Sequence, residues 1–192
     1  MQLIPAVLES RHVRLEPMTE AHREAFRAAC DADPRTWTDL YPYALHGEHF
    51  DKGWARLYAE PSKDRINYAV IVGGEVMGVS SLLGIEPQNA VVEVGGTYYH
   101  PAARGGATNP AAKRLLLGHA FDAGARRVQF KVDAINARSR AAVLKLGAVQ
   151  EGIHRQDRMT WTGRVRDTVF FSILADEWPA VRDRLDARLA VL

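Results

Sequence analysis

The sequence contains a single cysteine, Cys30, so no disulfide can form within the chain, and a reducing compartment suits it. It has no apolar run long enough to span a bilayer, and Met1–Pro5 lack the charged and long apolar regions of a signal peptide. An excess of one charge is also missing, because 25 basic residues face 23 acidic ones. These absences argue against bulk nucleic-acid binding and predict a cytoplasmic protein without membrane or direct nucleic-acid partners.

The composition that remains is typical of a globular protein. Of the 192 residues, 47% are apolar and 25% are charged, which predicts one domain over residues 1–192 with a sizeable core. Periodicity and turn signals predict strands at 12–16, 66–72, 75–83, 90–100, 127–133, 149–161 and 165–174, and helices at 19–30, 48–60, 109–124, 137–146 and after Asp176. This order predicts an α+β fold, a mixed central sheet of about seven strands flanked by helices.

The stretch Ala90–Ala148 organises the chain. A strand runs into a glycine-rich loop and a helix, and a second strand again leads into a helix. A helical crossover makes the two strands parallel, and ligands of such sheets collect at the carboxyl ends of the strands. The loops Arg104–Asn109 and Asn136–Arg140 both lie at that edge.

The first of these loops has the features of an anion site. Two glycines, Gly105 and Gly106, let the backbone approach a ligand closely, and Arg104 adds a charged donor. Asn109 is a favoured N-cap and Pro110 suits the first turn, so the helix is expected to start near 109 or 110. A helix N-terminus suits a phosphate. The alternative is a glycine turn without a ligand.

A glycine pair, Gly95-Gly96, interrupts the strand before this loop. Glycine inside a strand often marks a bulge or a close backbone approach. A bulge here would splay the strand from Arg127–Asp133, and the N–H and C=O groups freed in the gap would need partners.

Taken together, these pieces resemble the acetyl-CoA-binding core of the GNAT superfamily of N-acetyltransferases, and in particular its ribosomal-protein N-terminal acetyltransferase (RimJ/RimL-like) branch. The resemblance rests on the segments Glu93–Pro101, Arg104–Asn109, Asn136–Ser139 and Leu146–Arg155, which look like the fourth strand, the pyrophosphate loop, the Asn-x-x-Ser helix start and the Leu-Gly-Ala…Glu-Gly…Arg segment of the family. Aligned on Gly106, the loop departs from the family pattern at Ala103 and Thr108.

The resemblance implies a sheet splayed between the fourth and fifth strands, where the pantetheine arm of acetyl-CoA lies like an added strand. It also implies that a backbone N–H near Thr97–Tyr99 polarises the thioester carbonyl. The residues that it assigns to acetyl-CoA are Thr97, Tyr98, Tyr99, Arg104, Gly105, Gly106, Ala107, Thr108, Asn109, Asn136 and Ser139. No metal is expected.

Two residues of the second loop receive roles from the resemblance. Ser139 matches the proposed acid for the CoA sulfur, and its other interpretation is an ordinary first-turn serine. Asn136 matches a ligand of the pantetheine amides, and it can equally serve as the N-cap.

The general base is less clearly marked. Glu93 is the best candidate, since burial between Val92 and Val94 would raise its pKa toward neutrality. The alternative is a structural carboxylate bonded to a neighbouring strand or arginine. The family branch places a base a few residues past the Glu-Gly pair, where this chain has Asp157, with His154 as a further candidate.

The acceptor side is predicted from the aromatic loop Asp31–Gly47, which carries Trp37, Tyr41 and Tyr43 as substrate contacts or as core anchors. The resulting prediction is acetyl transfer from acetyl-CoA to a primary amine, a protein N-terminal α-amine being favoured, by direct attack in a ternary complex. The alternatives are a small-molecule amine (polyamine, antibiotic or amino acid) and a non-catalytic acyl-CoA-binding module. The protein is expected to be a monomer or homodimer.

Overall fold

The computed structural model describes residues 1–60 and 62–192. Its eight described strands form one open sheet in the order β1-β2-β3-β4-β5-β6-β8-β7. The strands are β1 (Leu8–Glu9), β2 (Arg14–Pro17), β3 (Arg65–Val72), β4 (Glu75–Glu86), β5 (Val91–Tyr99), β6 (Arg127–Asp133), β7 (Val149–Met159) and β8 (Val165–Leu174). The helices are α1 (Arg23–Asp31), α2 (Pro34–Leu40), α3 (Phe50–Leu57), α4 (Thr108–Asp122), α5 (Ala137–Leu146) and α6 (Trp178–Ala190).

The sheet is antiparallel except at one junction. Strands β1 to β5 pair antiparallel in sequence order, whereas β5 and β6 run parallel because α4 carries the chain back across the sheet. The predicted α+β sheet flanked by helices is therefore confirmed. The expected count of about seven strands is one short, because β1 has only two residues and is too brief to show a periodicity.

Each face of the sheet has its own core. On the face that we call the α4 face, inward residues of β5, β6 and β8 pack with α4, α5 and α6 around Val94, Leu116 and Phe171. On the opposite α1 face, aromatic residues of α1, α2 and α3 pack against Val79 and Tyr98. Alternate residues of each strand point to opposite faces, so the two cores follow from the strand period of two.

The segment Asp31–Gly47 is more regular than expected. Its first half forms the helix α2, where the sequence analysis expects only loop. Asp33 caps it by accepting a hydrogen bond from the Thr36 N–H at 3.3 Å, and Pro34 occupies the first turn. The Asp33-Pro34 pair is typical of a helix start and indicates α2 in the sequence.

No helix in the described part of the chain is long and apolar enough to cross a membrane.

Candidate active site

The parallel junction between β5 and β6 opens partway along its length. The two strands pair only at Val91 with Arg127, Val92 with Val128 and Glu93 with Gln129. Beyond these pairs β5 stays bonded to β4 as far as Tyr99, and β6 stays bonded to β8 as far as Asp133. The facing edges therefore separate, and the predicted gap between the fourth and fifth predicted strands is present.

The glycine pair lies at the start of this opening. Ser81 pairs with Gly95 and Val79 pairs with Tyr98, so β5 has one extra residue against β4 there. Gly96 takes the left-handed conformation with φ of +56°, which residues with a Cβ rarely adopt. This bulge turns β5 away from β6 and explains why the pairing stops after Glu93.

The loop after β5 presents unused main-chain donors. Helix α4 starts at Thr108, and its first backbone hydrogen bond runs from the Ala111 N–H to the Ala107 carbonyl. None of the described residues accepts a hydrogen bond from the N–H groups of residues 105 to 109. With the partial positive charge of the helix N-terminus, these donors fit a diphosphate.

The predicted cap of this helix is wrong. Ala107 occupies the N-cap position without a side-chain hydrogen bond, and Asn109 is the second helical residue instead of the cap. The helix begins earlier than the Asn109-Pro110 pair indicates, since Pro110 needs no N–H partner anywhere in the first turn. The absence of a side-chain cap leaves the N–H groups free for a ligand.

Arg104 is turned away from these donors. Its Nη1 lies 2.6 Å from Asp33 Oδ2, and its Nε donates to the Tyr99 carbonyl at 2.8 Å. Burial favours a higher pKa for Asp33, but hydrogen bonds from Thr36 and Arg104 outweigh it and hold that pKa below its usual value. The side chain thus ties the loop to α2, and the predicted phosphate contact of Arg104 has no support in this conformation.

The start of α5 has the predicted Asn-x-x-Ser geometry. Asn136 is the N-cap, and its Oδ1 accepts a hydrogen bond from the Ser139 N–H at 3.0 Å. Ser139 is half-buried, and among the described residues its hydroxyl has no hydrogen-bond partner. Helix α5 follows β6 directly, so both residues lie at the edge where β5 and β6 separate.

Glu93 lies at the last pair before the opening, on the α1 face. Its side chain is 12% exposed and forms an ion pair with Lys131 Nζ at 2.9 Å. The ammonium group gives the buried carboxylate a charged partner. The arrangement fits the structural alternative, and Glu93 as a base stays a prediction.

Asp157 lies in a bulge of β7, between the pairs His154–Thr168 and Arg158–Arg166. Burial favours a higher pKa for Asp157, but hydrogen bonds from Thr168 at 2.8 Å and Arg158 at 2.9 Å outweigh it and lower the pKa. A carboxylate with a lowered pKa is a weak base at neutral pH. His154 stacks on Phe170 with ring centroids 4.0 Å apart and is 65% exposed at its side chain.

The three predicted substrate aromatics divide into one core residue and two that border the bulge. Trp37 is fully buried and stacks on Tyr98, which fits its alternative role as a core anchor. Tyr41 donates its hydroxyl hydrogen bond to the Thr97 carbonyl, and the Tyr43 hydroxyl lies 3.7 Å from where a Cβ on Gly96 would stand. The side chains of Tyr98 and Tyr99 are buried as well, so these two can contact acetyl-CoA only through their backbone.

Sequence reasoning missed the buried position of Lys113. The side chain is buried on the α4 face, where Nζ lies 2.6 Å from Thr97 Oγ1 and 3.0 Å from Ser80 Oγ. Burial lowers its pKa to about 7. The sequence does contain a signal for this burial. Leu117 lies four residues after Lys113, and this spacing puts Lys113 on the inward stripe of α4.

The tip of the β7–β8 hairpin contacts α2. Trp161 at its tip donates from Nε1 to the Trp37 carbonyl at 3.0 Å, and Arg164 Nη2 donates to the Asp39 carbonyl. A groove of about 660 Å³ borders the β7 bulge and is lined by His154–Asp157. Within the described ranges, no group of three or more His, Cys, Asp or Glu side chains is arranged to hold a metal ion.

Comparison with known proteins agrees with this geometry. The family described as "Acetyltransferase (GNAT) domain" matches residues 12–149. A candidate acetyltransferase from T. thermophilus is 41% identical, with a TM-score of 0.88 over 98% of this chain and 100% of that one. A GCN5-related N-acetyltransferase from Brucella melitensis is 31% identical, with a TM-score of 0.89 over 97% and 86%.

A more distant structure shares the fold. Mycobacterium smegmatis RimJ, solved in complex with CoA-disulfide, is 21% identical, with a TM-score of 0.82 over 96% of this chain and 95% of that one. No curated protein sequence matches the chain. The family match covers well over half of the chain, so this protein belongs to the GNAT family of acetyl-CoA-dependent acetyltransferases.

Proposed function

We propose that this enzyme transfers the acetyl group of acetyl-CoA to a protein N-terminal α-amine, by direct attack within a ternary complex. The observation that carries the proposal is the opening after the Glu93–Gln129 pair. Free main-chain donors at residues 105–109 stand at one end of this opening, and the Ser139 hydroxyl stands beside it.

In this proposal each element of the site has a chemical task. The N–H groups of residues 105–109 bind the diphosphate of acetyl-CoA, and the free edge of β5 bonds the pantetheine arm. A β5 N–H in the Thr97–Tyr99 segment donates to the thioester oxygen as negative charge develops there. Asn136 holds the start of α5, and Ser139 donates the proton that the leaving thiolate requires.

Direct transfer is supported by the state of Cys30, the single cysteine of the sequence. Cys30 is fully buried, and burial raises the pKa of its thiol far above the ordinary value. A thiol that stays protonated is a poor nucleophile. The amine must therefore attack the thioester itself, and holding both reactants in one cleft supplies the rate advantage.

The base removes a proton from the attacking amine, and two carboxylates are candidates. Glu93 stands closest to the opening along β5, and it acts through a water molecule in this proposal. Asp157 is the weaker candidate because its pKa is lowered by Thr168 and Arg158.

A protein N-terminus is favoured over a small amine by the shape of the acceptor side. The groove at His154–Asp157 is open, and an extended chain can leave it without closing the site. The likeness to RimJ, and to a structure described as the ribosomal L7/L12 α-N-protein acetyltransferase RimL, supports the same choice.

A turnover screen tests the proposal. Purified enzyme with acetyl-CoA is offered a panel of peptides with free N-termini, the same peptides with blocked N-termini, and polyamines, aminoglycosides and amino acids. We expect CoA release with free N-termini only. Turnover confined to small amines would refute the N-terminal assignment, and no CoA binding by calorimetry at millimolar CoA would refute the whole site.

A further inference from the structure

Arg166 of β8 is a buried guanidinium with most of its donors unused. Its side chain is 8% exposed, Nε donates to Thr168 Oγ1 at 3.1 Å, and the Asp133 carboxylate lies 3.8 Å from Nε. In the described part of the chain, Nη1 and Nη2 have no hydrogen-bond acceptor. A guanidinium has five N–H donors, and the two terminal nitrogens of Arg166 are not fully shielded from solvent, so a ligand can reach them.

The nearby carboxylates are each closer to another cation. Asp133 lies 2.5 Å from Arg164 Nη2, and Asp157 is bound by Arg158 at 2.9 Å. Glu93 is paired with Lys131 at 2.9 Å. Arg166 therefore shares the Asp133 carboxylate with Arg164, which lies closer to it.

Arg166 faces the acceptor side of the opening. It shares the α1 face with Thr168 and, through the Asp133–Thr168 and Lys131–Phe170 pairs, with Lys131 and Asp133. Continuing the β5–β6 and β6–β8 registers past their last pairs puts Arg166 level with the segment Thr97–Tyr99.

We propose that Arg166 binds a carboxylate of the acceptor, so that the enzyme prefers protein N-termini with an acidic second residue. This inference rests on the proposed function. Adjacent strands are about 5 Å apart, so the guanidinium lies on the order of 5 to 10 Å from the opening. The side-chain carboxylate of a second residue is at about that distance from the N-terminal amine, whereas the carboxylate of a free α-amino acid is only about 3 Å away.

The test compares two peptides that differ only at their second residue, Ser-Asp and Ser-Asn, followed by the same neutral sequence. For the wild-type enzyme we expect kcat/KM to favour the Asp peptide by roughly tenfold or more, mainly through KM, because a charge-assisted bidentate pair is lost with Asn. Arg166→Gln should abolish this preference while leaving the Asn peptide within about threefold. If Arg166 had only a structural role, Arg166→Gln would lower kcat/KM for both peptides equally.

Two further variants serve as controls for this result. Arg35→Gln removes an exposed arginine from α2 and should keep the preference, which excludes a long-range charge effect. Arg166→Lys keeps the charge without the bidentate geometry and should retain part of the preference, even if Arg166→Gln unfolds. Equal rates for the two peptides in the wild type, or a preference that persists in Arg166→Gln, would overturn the proposal.

Failure of the proposed function gives a different pattern. If no peptide is acetylated but small amines are, the N-terminal assignment falls, and the pair 4-aminobutanoate and 4-aminobutanamide then decides the role of Arg166. An acid preference in that pair that depends on Arg166 would support the carboxylate site. Its absence would refute that site.

Discussion

Replacing Lys113 by methionine should stabilise the protein near pH 6 and do so much less near pH 9. Burial lowers the pKa of Lys113 from 10.5 to about 7. Between these two values the unfolded chain binds a proton that the folded chain lacks, so the free energy of unfolding falls as the pH falls from about 10.5 to about 7 and then levels off. Methionine has a similar length and carries no charge, so the variant does not lose this stability as the pH falls.

The size of the effect follows from the width of the pH interval. One pH unit corresponds to about 1.4 kcal/mol, and two units between pH 7 and pH 9 give about 3 kcal/mol. The wild-type and variant stabilities should therefore draw together by about 2 to 3 kcal/mol between pH 6 and pH 9. Loss of the Lys113 hydrogen bonds should reduce this gain in stability only slightly, because Ser80 and Thr97 keep their mutual hydrogen bond of 2.7 Å.

Urea unfolding at several pH values measures this difference. The other titrating groups are common to both proteins, so they cancel in the comparison. Lys145→Met on α5 is the matched control, since Lys145 is exposed and its charge stays in contact with water in the folded protein. A difference between wild type and Lys113→Met that stays constant from pH 6 to pH 9 would show that Lys113 does not titrate as its burial requires.

Three further substitutions test the cofactor site and the chemistry. Gly106→Ala should weaken CoA binding roughly tenfold without changing stability, because open space surrounds a Cβ there and only a ligand would meet it, and Gly152→Ala is the control with equal space. Ser139→Ala should lower kcat more than CoA affinity, and an unchanged rate would remove Ser139 from the mechanism. Glu93→Gln should lower kcat, and a kcat equal to that of the wild type would rule out Glu93 as the base.

Local sequence signals predicted the parts of the site that depend on the backbone. The strands Arg127–Asp133 and Val165–Leu174 have the predicted bounds, because alternation over seven or more residues is a strong signal. The Gly95-Gly96 pair predicted the bulge, and the Asn136 cap predicted the start of α5. Each of these features is fixed by residues close together in the chain.

The contacts of the charged side chains could not be predicted in the same way. The Glu93–Lys131 ion pair depends on the register between β5 and β6. These strands are joined by a helical crossover, and the local sequence does not determine the register between them. Arg166 lies on the strand next to β6, near the opening, only because β8 inserts between β6 and β7. Nothing local indicates which strand of the final hairpin takes that inner place.

The departures of this chain from the family loop should have little effect on CoA binding. The family pattern differs at Ala103 and Thr108, yet the diphosphate donors proposed here are main-chain N–H groups, which every residue except proline supplies. Thr108→Ala should therefore leave CoA affinity within about threefold, whereas Gly105→Ala should weaken it strongly, because Gly105 has φ of +84° and a Cβ there strains the loop. Calorimetric titration with CoA measures both. A larger loss from Thr108→Ala than from Gly105→Ala would mean that side chains, and not the shape of the backbone, bind the diphosphate.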